Sequence, residues 1–68
     1  MNEEAFNQSM RQFLKYVGVN SQREIEKAVA GAIAGKSITG TEQFQASMTL
    51  HIAGLHLEMK FDGEIRLE

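Results

Sequence analysis

Apolar residues at Phe6, Met10, Phe13, Leu14 and Val17 recur every three or four positions, the repeat of one face of an α-helix. Asn2 stands where a helix cap belongs, Glu3 and Glu4 put negative charge at the positive end of the helix dipole, and Gly18 offers a left-handed stop. The pattern predicts a first helix over residues 3–17. A second helix opens at Ser21, because Ser21-Gln22-Arg23-Glu24 has the form of a capping box. Its apolar stripe is Ile25, Ala28, Val29, Ala32 and Ile33, and Gly35-Lys36 supplies the stop. The opposite side is small, with Ala30, Gly31 and Ala34.

Beyond Gln43 the repeat changes from about 3.6 to 2. Phe44, Ala46, Met48, Leu50 and Ile52 alternate with Gln45, Ser47, Thr49 and His51, as on a strand with one buried face. Leu55, Leu57, Met59 and Phe61 then alternate with His56, Glu58 and Lys60. A two-residue turn at Ala53-Gly54 pairs Ile52 with Leu55 and keeps both on the apolar side. Asp62-Gly63 marks a further turn, and a third strand carries Ile65 and Leu67. A two-residue loop there would set inward Phe61 opposite outward Glu64, so a three-residue or bulged turn over 62–64 is required.

The predicted fold class is α+β, a two-layer α-α-β-β-β arrangement in one domain over residues 1–68. Two N-terminal helices pack on one face of a three-stranded antiparallel meander. The core of this arrangement sets Phe6, Phe13, Leu14, Val17, Ile25, Val29 and Ile33 against Met48, Leu50, Leu57, Met59 and Phe61.

Composition narrows the functions. The chain has 68 residues, with Lys+Arg 7 against Asp+Glu 9 and a formal net charge of −2. A chain this short has a thin core and little room for a deep substrate cleft. The hydrophobic fraction of 43% argues against intrinsic disorder. There is no cysteine, which removes disulfides, thiolate metal sites and thiol nucleophiles and points to a reducing compartment, the cytoplasm. The opening residues are acidic where a signal peptide is basic, and no apolar run approaches a membrane span.

The opening Asn2-Glu3-Glu4-Ala5-Phe6-Asn7, the central Ser21-Gln22-Arg23-Glu24-Ile25-Glu26-Lys27-Ala28-Val29 and the ending Gly63-Glu64-Ile65-Arg66-Leu67-Glu68 resemble a family of short bacterial proteins of unknown function. The likeness runs along essentially the whole chain. It implies a small bacterial protein and brings no activity and no site residues.

Three local patterns bear on chemistry. Ala30 to Ser37 satisfies a relaxed phosphate-loop spacing, but it closes a helix where a phosphate loop leaves a strand and opens one. Residues 14–28 have the outline of a helix-turn-helix. Glu24 and Glu26 offset Arg23 and Lys27 in the would-be reading helix, so the cationic footprint of a nucleic-acid binder is missing. The turn register that pairs Ile52 with Leu55 also sets His51 opposite His56, about 4.5–5.5 Å apart at Cβ, with Glu58 on the same face. Two imidazoles and a carboxylate are a weak divalent-metal set, and a structural zinc site wants four ligands.

Neither a catalytic triad nor a cofactor loop in proper context is present, so the expectation is a non-enzyme without a cofactor. The first reading is a non-catalytic interaction module that self-associates as a homodimer, with an unidentified protein partner and neither nucleic acid nor membrane. The second is a metal-binding module at His51, His56 and Glu58.

Overall fold

The computed structural model describes residues 1–68, with the element order helix, strand, short 3-10 turn, strand. The chain divides into two units, Met1–Gly35 and Lys36–Glu68. The first is one α-helix, α1 (Glu3–Ala34), and the second is a hairpin of β1 (Gln43–Ile52) and β2 (Leu57–Arg66). Two helices and a three-stranded meander are therefore not formed. The content is α+β, with one helix and a two-stranded antiparallel sheet.

The N-terminus of α1 follows the sequence signals. The Asn2 side chain accepts from the Ala5 backbone N–H at 3.0 Å, and Glu3 and Glu4 occupy the first turn. The expected break at Gly18 does not occur. A mid-helix glycine costs roughly 1 kcal/mol, but an interruption forfeits several backbone hydrogen bonds and a second costly nucleation. The helical repeat also carries through the glycine, since Val17, Ser21, Ile25, Ala28 and Ala32, all apolar but Ser21, keep three- and four-residue steps on one side. Ser21 and Glu24, the presumed capping box, lie inside the helix, and Asn20 donates its side-chain amide back to the Tyr16 carbonyl at 2.7 Å. The 32 residues of α1 span about 48 Å at ~1.5 Å per residue. Gly35 ends it in a right-handed conformation, and the left-handed residue is Lys36, at φ 60.

The hairpin is one uninterrupted ladder from Gln43↔Arg66 to Ile52↔Leu57. Asp62 and Gly63 pair with Ser47 and Ala46 in mid-strand and form no turn. The alternation explains this directly. Leu57, Met59, Phe61, Gly63 and Ile65 are all odd-numbered, so a straight strand keeps them on one face, whereas a turn at 62–63 needs an extra residue to restore parity. The apolar face pairs Phe44 with Ile65, Ala46 with Gly63, Met48 with Phe61, Leu50 with Met59 and Ile52 with Leu57. The opposite face is polar throughout.

The expected core is absent, because no residue of either unit is buried. Phe13 is 52% exposed, Leu14 55% and Phe61 54%.

Gly18→Ala separates a continuous helix from a broken one. A Cβ at Gly18 meets nothing within 4 Å, so the substitution is expected to raise helix stability by roughly 0.5–1 kcal/mol. Thermal unfolding followed by circular dichroism should show a higher midpoint. A lower midpoint would place Gly18 in a left-handed turn.

Candidate functional site

The site expected from sequence depends on the turn between the strands. A two-residue hairpin loop of the favoured types needs positive φ at its centre. Gly54 does not adopt it. Ala53–Leu55 instead forms a single 3-10 turn, closed by the His56 backbone N–H donating to the Ala53 carbonyl at 3.1 Å, and His56 takes the left-handed position at φ 53. The loop therefore has four residues, 53–56, between the closing pair Ile52↔Leu57. Leu55, assigned by its spacing to the apolar face, lies in the turn with 70% exposure.

The change moves the histidines apart in role. His51 faces Glu58 across the ladder, and His56 stands in the loop. His51, His56 and Glu58 do not come together as a metal-binding group, and no three His, Cys, Asp or Glu side chains do so anywhere in the chain. The lysine and serine of the relaxed phosphate-loop spacing lie past the end of α1, which rules out the strand-to-helix geometry that phosphate binding needs.

The carboxylate with the densest set of partners is one that sequence reasoning missed. Glu42, at the entrance to β1, accepts the backbone N–H groups of Thr39 at 2.9 Å, Gly40 at 2.9 Å and Thr41 at 3.1 Å, and the Thr39 hydroxyl at 3.1 Å. Gly40 makes the wrap possible at φ 103, a conformation that L side chains rarely adopt. These donors hold the Glu42 carboxyl well below its ordinary range, at about 2, with the Thr39 backbone N–H the largest cause and the Gly40 N–H next, against a smaller opposing effect of desolvation. The only available signal was local: Thr39-Gly40-Thr41 is a turn-forming run directly before an acid. Because a residue of the chain itself fills this ring of donors, the loop is a structural clasp and offers no vacant anion site.

The hairpin exposes two chemically different faces. One side presents Phe44, Met48, Ile52, Met59 and Phe61, each between 39% and 54% exposed. The other presents Gln43, Gln45, Ser47, Thr49 and His51 from β1, and Glu58, Lys60, Asp62, Glu64 and Arg66 from β2. Lys60 lies 3.6 Å from Asp62, and Arg66 lies 3.6 Å from Glu64. No helix is long and apolar enough to cross a membrane.

A model of a family of unknown function, DUF6494, matches residues 1–68, the whole chain. The chain belongs to DUF6494. No curated protein and no solved structure gives a significant match. For this DUF6494 chain, the functional reading therefore rests on its own surfaces.

The clasp makes a pH prediction. The Glu42 carboxyl titrates lower in the folded chain than in the unfolded one, so its contribution to stability is present above pH ~4.5 and is lost as the pH falls toward 2. Glu42→Gln is expected to destabilise the hairpin unit at pH 7 and to flatten its acid dependence, with wild type and variant converging near pH 2. Denaturant unfolding followed across pH 2 to 7 checks this. Parallel curves for the two proteins would remove the clasp.

Proposed function

We propose that this DUF6494 chain is a non-catalytic interaction module of the bacterial cytoplasm that works by self-association. The observation that carries the reading is the exposed apolar face of the hairpin, five large side chains in register on one side of a two-stranded sheet. Contiguous exposed apolar surface of this kind marks an interface. A two-stranded hairpin is marginal in water and needs further strands or a packed layer.

The area suits a second copy. A large side chain carries about 150–250 Å², so roughly half exposure leaves about 100 Å² on each of Phe44, Met48, Ile52, Met59 and Phe61. Matched by the same face of a second copy, this reaches about 1,000 Å², the lower bound for a specific interface. A two-fold homodimer is the simplest closed arrangement. The absence of cysteine is consistent with the reducing cytoplasm. His51, His56 and Glu58 are exposed and supply no sheltered pair for acid–base chemistry.

Sedimentation equilibrium tests the reading. Wild type is expected to exceed the monomer mass of 7.6 kDa in the micromolar range. Phe61→Glu removes about 100 Å² of apolar contact per copy, about 2.5 kcal/mol per copy at ~25 cal/mol per Å². It is expected to weaken association more than tenfold. A monomer mass up to high micromolar concentration would overturn the proposal.

A further inference from the structure

The hairpin has two free edges, and their chemistry differs. In an antiparallel ladder, directly opposed residues alternate between pairs that exchange backbone hydrogen bonds and pairs whose N–H and C=O groups point away. Leu67 donates its backbone N–H to the Glu42 carbonyl at 3.0 Å, directly across the register that continues as Gln43↔Arg66. Stepping by two, Phe44, Ala46, Met48, Leu50 and Ile52 bond inward to β2. The outward backbone groups of β1 thus belong to Gln43, Gln45, Ser47, Thr49 and His51, and those of β2 to Glu58, Lys60, Asp62, Glu64 and Arg66.

Every outward-facing residue of β2 carries a formal charge, and none of β1 does with histidine neutral. Charged side chains along an edge are the usual guard against strand addition. The β1 edge has no such guard, no proline and an unbroken ten-residue register.

We propose that a second copy of the chain adds to this edge, its β1 antiparallel to this β1, giving one four-stranded sheet in the order β2-β1-β1-β2. The inference rests on the self-association reading and adds a second contact to the face-to-face one, an edge that joins two hairpins while their apolar faces remain available to pack against a further copy. Strand parity restricts the register, because only odd-numbered residues of the two copies face each other with free backbone groups. A two-fold axis through Ser47 uses all of them, setting Gln43 against the partner's His51 and Gln45 against the partner's Thr49. The axis stands perpendicular to the sheet, so both apolar faces lie on the same side, with Phe44 beside the partner's Leu50 and Ala46 beside the partner's Met48. The two hairpin faces then form one continuous apolar surface.

The β2 edge is the poorer choice. Its matching register, centred on Asp62, opposes Glu58 to the partner's Arg66 and Lys60 to the partner's Glu64. It also brings Asp62 against the partner's Asp62 on the axis, and Lys60 and Arg66 already have acids 3.6 Å away within their own strand. Like charges directly opposed destabilise a sheet.

Because the chain has no cysteine, single-thiol variants report the edge. Opposed Cα atoms of a hydrogen-bonded pair lie about 5.5 Å apart, within the span of a disulfide. Under mild oxidation Ser47→Cys is expected to form a covalent dimer, and Asp62→Cys is expected to remain monomeric on a denaturing gel. Ser47→Lys, which sets like charges on the axis, is expected to lower association at least tenfold with an unchanged circular dichroism spectrum. A wild-type dimer in which Asp62→Cys cross-links as readily as Ser47→Cys, or which Ser47→Lys leaves intact, overturns the β1 edge and spares self-association. A wild type that stays monomeric overturns both.

Discussion

Apolar side chains that alternate along two strands must share one face of the sheet, and a two-stranded sheet has no further strand or second layer of its own to cover that face. In this chain the constraint runs from Phe44 to Ile65 without a break in parity. The straight β2, the mid-strand position of Gly63 and the segregation of every charge to the other face follow from it. The same constraint leaves Phe44, Met48, Ile52, Met59 and Phe61 between 39% and 54% exposed, the observation on which the proposed self-association rests.

Glu42 shows how the chain prepares the first strand. Three backbone N–H groups of the preceding loop converge on its carboxylate, and Gly40 supplies the turn that aims them. At the far end His56 closes the loop in a left-handed conformation. The ladder is thus bounded by a carboxylate clasp on one side and a 3-10 turn on the other, and both ends set the register that decides which backbone groups face outward.

The elements that were legible in sequence are those in which side-chain period and capping chemistry agree. The start of α1 at Asn2, Glu3 and Glu4 and the strand over residues 44–52 are of this kind. Gly18 and Asp62-Gly63 misled because glycine permits a turn without requiring one. Parity already argued against a turn at 62–63, since placing one there demanded a bulge. The histidine pair failed for a subtler reason. Loops of two and four residues have the same parity, so the apolar pattern accepts His51 opposite His56 or His51 opposite Glu58 equally well. Only the backbone conformation of Gly54 and His56 decides between them. Glu42 was hidden because its partners are main-chain donors, which carry no residue-specific signal.

β1 presents an edge without charged side chains, the edge proposed to take a second copy. Amide hydrogen exchange resolved by residue measures this at the backbone itself. With rising protein concentration, the outward amides of Gln45, Ser47 and Thr49 should become protected, and those of Lys60, Asp62 and Glu64 should exchange at unchanged rates. Exchange at Gln45, Ser47 and Thr49 that is fast at every concentration, or protection that appears on β2 in their place, would show that no second copy covers the β1 edge.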